Sequence, residues 1–158
     1  MISCRRTYQR HLPHFQSDFR AYLVTFATQN RWILPSIARD IALRHIIFDD
    51  GRRMHLYAAV VMPDHVHILM KPLWDEYGFC YPLPKILQGI KGSSARSINK
   101  ALDRFGRVWQ EESFDHEMRS DESLRSKAKY LCENPVRKGL VRSSDDYAWL
   151  WCEWVHRT

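Results

Sequence analysis

An α+β fold of the split βαβ (ferredoxin-like) type, an antiparallel sheet with two helices on one face, is what this sequence predicts. Three observations lead there. Aromatic and β-branched runs at residues 19–28 and 54–61 read as strands. Residues 57–72 are two short apolar runs broken by Met62-Pro63-Asp64, close enough in sequence to pair as a hairpin. Helical spacing fills the interval before the hairpin and the interval after it, which gives the order β-α-β-β-α-β.

The first strand, residues 19–28, follows a basic stretch in which Arg5, Arg6, Arg10, His11 and His14 are interleaved with Tyr8 and Phe15. Arginine beside aromatic rings can clamp phosphates and stack bases, and a frayed terminus has the same composition. Ser36 is placed to cap a helix over residues 37–49, where Ile37, Ala38, Ile41, His45 and Phe48 recur at helical spacing and Gly51 follows the end. Residues 73–84, with Gly78, Pro82 and Pro84, form a loop. Residues 85–102 then alternate Ile86, Ile90, Ala95, Ile98 and Leu102 with Lys85, Lys91, Arg96 and Lys100, as an amphipathic helix does. Gly89 and Gly92 weaken that helix, and Gly92-Ser93-Ser94 beside Lys91 would equally let a phosphate approach or mark a kink. Residues 108–110 and 113–119 supply a short last strand carrying His116.

Such a sheet leaves one face free, and the segment after it is the candidate cover. Ser120-Asp121-Glu122 starts a helix with a capping hydroxyl and acidic residues in the first turn; it runs toward Asn134 and stops at Pro135. Leu124, Ala128 and Leu131 share one stripe, while Tyr130 and Asn134, at i and i+4, lie beside each other off that stripe. The helical pattern alone favours a half-packed tyrosine with Asn134 as C-cap. The tail from residue 146 is rich in tryptophan, and Trp149, Trp151 and Trp154 are expected to pack against the core rather than to stack on bases.

Composition narrows the partners. The 158 residues carry 24 Lys and Arg against 18 Asp and Glu, a formal charge of +6 spread along the chain, which suits a polyanion such as nucleic acid. No apolar run approaches transmembrane length and residues 1–15 lack a signal-peptide core, so no membrane partner and a cytoplasmic location are expected. Cys4, Cys80, Cys132 and Cys152 lack C-x-x-C spacing and are expected to be reduced thiols. One domain over residues 1–158 is expected, with a core at 19–141, a basic segment at 1–18 and a tail at 142–158.

Chemistry concentrates in the hairpin. His65 and His67 stand one residue apart on a strand, so both imidazoles share one sheet face while Val66 and Ile68 share the other. Two neutral imidazoles side by side make half of a divalent-metal site, and equally they decorate a solvated strand.

Pro63-Asp64-His65-Val66-His67-Ile68-Leu69, followed by Tyr130-Leu131-Cys132-Glu133-Asn134-Pro135 and Val136-Arg137-Lys138-Gly139, resembles the REP-associated tyrosine transposases. These are a branch of the single-tyrosine HUH transposases of the insertion-sequence (IS200-like) type. The resemblance spans most of the chain, about residues 19–141. It implies Tyr130 as the nucleophile, His65, His67 and Asn134 as ligands of one Mg²⁺ or Mn²⁺, and a helix carrying Tyr130 near the free sheet face. It further implies cleavage and joining of single-stranded or hairpin DNA through a 5′-phosphotyrosine link, by a nucleoid-associated protein that is a monomer or a homodimer. Arg5, Arg6, Arg10, Lys91, Ser93, Arg96, His116, Arg137 and Lys138 are the candidate DNA contacts. Many relatives carry Gln where Asn134 stands. The tail departs from the family's Tyr-Pro-Trp-Ser-Ser segment, with Ala148 for Pro and Leu150-Trp151 for Ser-Ser.

Two other readings of the residues stay open. A ferredoxin-like domain can bind single-stranded nucleic acid on its sheet face without chemistry, which would place aromatic residues where His65 and His67 stand. A metal-dependent phosphodiesterase would use water as nucleophile and make Tyr130 dispensable.

Overall fold

The computed structural model describes residues 20–119 and 123–156. The expected contacts of Arg5, Arg6 and Arg10, and the expected cap at Ser120, lie outside the described residues. Along the chain run β1 (Tyr22–Ala27), α1 (Ser36–Phe48), β2 (Met54–Val61), β3 (His65–Pro72), α2 (Leu83–Leu102), β4 (Phe114–Glu117), α3 (Leu124–Cys132), α4 (Asn134–Arg137), β5 (Leu150–Cys152) and α5 (Glu153–His156). All strands pair antiparallel in the order β4-β1-β3-β2-β5. The first four are the expected split βαβ arrangement.

Alternation along the strands sends apolar residues to both faces, and each face has its own cover. Tyr22, Val24, Phe26, Val66, Ile68 and Met70 pack with Ala38, Ala42, Ile46, Ile86, Ile90 and Ile98 of α1 and α2. The opposite face, with Ala58, Val60 and Leu69, packs with Ala128, Leu131 and Cys132 of α3. A β-bulge between Leu56 and Ala58 inserts Tyr57, so Tyr57 and Ala58 both serve the α3 face.

Several local expectations change. Ser36 is the first residue of α1 rather than its cap; Pro35, extended, precedes it. The buried side of α1 is Ala38, Ala42 and Ile46, while Ile37 and Phe48 are exposed, because a helix wedged against both the sheet and α2 turns its small residues inward. Helix α2 is continuous through Gly89 and Gly92. At Gly89 a Cβ would collide with the Arg53 guanidinium, which reaches over the helix from Asp49 to the Lys85 carbonyl. Ser123 caps α3, its hydroxyl accepting from the Ser126 N–H.

The helix does not run unbroken to Asn134. It ends at Cys132, and Pro135 sits in the first turn of the separate α4, where its missing N–H costs nothing. Trp149 and Trp151 pack against the core as expected while Trp154 is exposed, and the tail also adds strand β5 to the open edge of β2, which the sequence reading missed. Tyr147 donates from its hydroxyl to the buried Val61 carbonyl at 2.6 Å, and Trp149 donates to Asp40 at 2.7 Å. Cys132 and Cys152 are free and buried, whereas Cys80 is disulfide-bonded, contrary to the reduced state expected for all four.

Candidate active site beneath the tyrosine helix

Strand β3 is central, between β1 and β2, so its residues have fixed neighbours. His65 and His67 both project to the α3 face, with ring centroids 4.8 Å apart and planes at 83°. Opposite them on β1 stand Ala27 and Thr25. The small Ala27 leaves space, and the Thr25 hydroxyl lies 2.8 Å from His67 Nδ1. His65 Nδ1 lies 2.7 Å from Asp64 Oδ1. Arg31 Nε lies 3.0 Å from the other oxygen of that carboxylate.

These partners decide which ring nitrogens remain available. An ionised carboxylate only accepts, so His65 Nδ1 carries the hydrogen and Nε2 is the nitrogen left to face a ligand. With the Thr25 hydroxyl accepting, His67 presents its Nε2 in the same way. Burial, then the charges of His65, Arg137 and Lys138, push His67 down to about 4, so its imidazole is neutral at pH 7. Burial would raise the Asp64 carboxyl, but the His65 hydrogen bond and Arg31 outweigh it and hold Asp64 below its ordinary value.

From the other side, α3 and α4 bring Tyr130, Asn134, Arg137 and Lys138. They line one cleft of about 440 Å³ with His65, His67, Thr25, Arg31 and Lys127. Asn134 is buried, yet among the described residues its side-chain amide has no hydrogen-bond partner. Tyr130 is 61 % exposed, with its ring under the Arg137 guanidinium at 3.7 Å. Arg137 also donates to the Tyr130 carbonyl at 2.8 Å. The turn break at Pro135 thus places Arg137 against both ends of the tyrosine residue.

The donor set fits a divalent cation. Two imidazoles whose Nδ1 atoms are engaged by Asp64 and Thr25, plus a buried amide without a hydrogen-bond partner among the described residues, fit a divalent cation with open positions for oxygen ligands. Groups of three or more His, Cys, Asp or Glu are absent among the described residues; the Asn134 amide lines the cleft beside the two histidines.

The remaining expected contacts fall elsewhere. Lys91 donates from Nζ to the Glu111 carbonyl and Ser113 hydroxyl, each at 3.0 Å, which ties α2 to the approach to β4. The Ser93 hydroxyl lies 3.0 Å from His45 Nδ1, and Ser94 is buried against Trp109. Arg96 lines a groove between α1 and α2 with Arg44 and Arg52. His116 is exposed on the edge strand β4. Only Arg137 and Lys138 of the described basic candidates line the cleft itself. Sequence reasoning missed Thr25, Arg31 and the orienting role of Asp64. A polar Thr25 inside an otherwise apolar strand, and Asp64 directly before His65, were the available signals.

Comparison with known proteins agrees with this fold. A solved structure of a REP-associated tyrosine transposase bound to a REP hairpin superposes with a TM-score of 0.63 at 20 % identity, covering 88 % of this chain and 82 % of that one. A Haemophilus influenzae protein provisionally named a REP-associated tyrosine transposase is 28 % identical over 99 residues, 57 % of this chain and 54 % of that protein. The chain therefore spans about half the length of this curated relative. Residues 21–133 match the family model described as transposase IS200 like. With most of its length, strands β1 to β4 and the tyrosine helix inside that match, this chain belongs to the IS200-like transposases.

Proposed function

We propose that this protein is a metal-dependent endonuclease and strand transferase that acts on single-stranded or hairpin DNA, a transposase working through a 5′-phosphotyrosine intermediate. The observation that carries the reading is one cleft gathering His65, His67, Asn134 and Tyr130 with the cations Arg137 and Lys138. The family membership and the solved relative bound to a REP hairpin support DNA of that kind as substrate. A cytoplasmic, nucleoid-associated protein is consistent with it, and among the described residues no helix is long and apolar enough to cross a membrane.

His65, His67 and Asn134 would hold Mg²⁺ or Mn²⁺, which when bound supplies Lewis-acid polarisation of the scissile phosphate and charge neutralisation at the leaving oxygen. The chain's own residues do the rest. Arg137 holds the Tyr130 ring and carbonyl, fixing the phenol over the cleft floor, so the attack begins from a set orientation rather than a free rotor. Tyr130 attacks the phosphorus; a tyrosine–phosphate bond forms, the bond to the 3′ oxygen breaks, and a 3′-OH is released. Because one phosphoester replaces another, a strand end with a free 3′-OH can reverse the step and join DNA without ATP. Lys138, and Lys127 one turn before Tyr130, supply positive charge along the cleft rim for the flanking phosphates.

The test is incubation with single-stranded hairpin DNA and Mn²⁺, followed by a denaturing gel. A protein–DNA adduct that withstands denaturant and disappears with chelator is expected. Cleaved DNA with no adduct at any time would instead favour a water nucleophile.

A further inference from the structure

Arg31 reaches the site by a strained route. Asn30 and Arg31 both take left-handed backbone, with φ of 56° and 53°, in the turn that follows β1. Non-glycine residues rarely adopt this conformation, and two in succession persist only where the surroundings hold them. Here the holder is Thr28, fully buried. Its hydroxyl is shared between the Trp32 carbonyl at 2.8 Å and the Asp64 carbonyl at 3.2 Å, and its N–H donates to the same Asp64 carbonyl at 2.9 Å. The strained turn is therefore anchored to the very residue whose carboxylate Arg31 then grips, Nε to Oδ2 at 3.0 Å.

The grip matters because of what Asp64 does with its other oxygen. Oδ1 accepts from His65 Nδ1 at 2.7 Å, so both carboxylate oxygens are engaged. A carboxylate next to two imidazoles would otherwise be the strongest hard ligand within reach. Released from Arg31, it could change rotamer about χ1, abandon His65 and enter the cleft.

We propose that Arg31 is a positioning residue: by holding Asp64 Oδ2 it keeps that carboxylate out of the ligand set and locks His65 as the Nδ1–H tautomer with Nε2 toward the cleft. The inference rests on reading His65 as a metal ligand. Orienting partners of ligating histidines carry about 10- to 100-fold in metal affinity, and a residue acting through such a partner belongs at the lower end.

The experiment compares wild type, Arg31→Gly and Arg31→Lys in two measurements. Glycine suits the left-handed backbone, so Arg31→Gly relieves strain and its thermal midpoint is expected to equal or exceed that of wild type. Nitrogen NMR of the metal-free proteins should find His65 as a single Nδ1–H tautomer in wild type and a tautomer mixture in Arg31→Gly. Calorimetric titration with Mn²⁺ alone should give an affinity about tenfold weaker for Arg31→Gly, largely restored in Arg31→Lys, whose ammonium can still meet Asp64. An unchanged His65 tautomer in Arg31→Gly, or Mn²⁺ affinity lost only in step with thermal stability, would overturn the proposal. If wild type itself binds no Mn²⁺, the reading of the site as a metal centre fails, and the tautomer comparison still decides the role of Arg31.

Discussion

Thr25→Val isolates the role of a single hydroxyl in the site. Valine keeps the shape and β-branching of threonine, so β1 retains its pairing with β3 and β4. What is lost is the oxygen 2.8 Å from His67 Nδ1. Leaving a buried polar group without its partner costs about 1–3 kcal/mol. In the metal-free protein His67 can recover part of that by changing tautomer. With Nε2 committed to a cation it cannot, so most of the penalty falls on metal binding. At about 1.4 kcal/mol per tenfold, the expected loss in Mn²⁺ affinity is about 5- to 150-fold. That overlaps the range known for hydrogen-bond partners of ligating histidines, about 10- to 100-fold. Calorimetry with Mn²⁺ in the absence of DNA reads it directly, and thermal unfolding of the metal-free protein should move much less. Equal Mn²⁺ affinity in the two proteins would refute the claim that Thr25 fixes a ligand.

Four other outcomes follow from the fold. Gly92→Ala should stabilise the protein by about 1 kcal/mol in urea unfolding, since its new methyl meets Arg96 at an ordinary 3.5 Å. Gly89→Ala should gain less, because it must displace Arg53 from its seat over α2; equal gains would contradict that packing. Tyr147→Phe removes the donor to the buried Val61 carbonyl and should cost about 1–3 kcal/mol, measured the same way. His45 is held below its ordinary value by burial, then by Arg44 and Arg96. The unfolded chain therefore takes up the proton first, and stability should fall as pH drops below about 6.5, with little effect above it. His45→Gln should lower the slope of stability against pH in that window, and an unchanged slope would assign the dependence elsewhere.

Strand β2 and the His65–His67 strand were legible because their signals are local: a period of two and a turn dipeptide. The shared face of the two histidines needed nothing more than alternation. Tyr57 was harder, since a bulge depends on what both faces must bury and not on the run Tyr57-Ala58-Ala59 itself. Three residues, Leu150–Cys152, carry too little pattern to announce a strand; they become one because β2 offers an open edge. Apolar spacing in α1 named Ala38, which is buried, together with Ile37 and Phe48, which are exposed; close approach to α2 selects Ala42 and Ile46 instead of those two, a tertiary choice no helical wheel contains. In the cleft, Tyr130 and Asn134 were placed side by side by helical spacing. Their meeting with His65 and His67 depended on which face α3 covers, and Arg31 came from a turn in which Asn30 alone hints at left-handed backbone and nothing in Arg31 does.

The measurement closest to the central claim is covalent capture of DNA by wild type and by Tyr130→Phe. The substitution removes one oxygen from a side chain that is 61 % exposed and should leave packing and the Arg137 contact in place. With hairpin DNA and Mn²⁺, wild type should form a denaturant-resistant adduct and a cleaved strand. Tyr130→Phe should bind the same DNA with wild-type affinity and yield neither. Near-normal cleavage by Tyr130→Phe would contradict the phosphotyrosine account and make the histidine cleft the centre of a water-dependent phosphodiesterase.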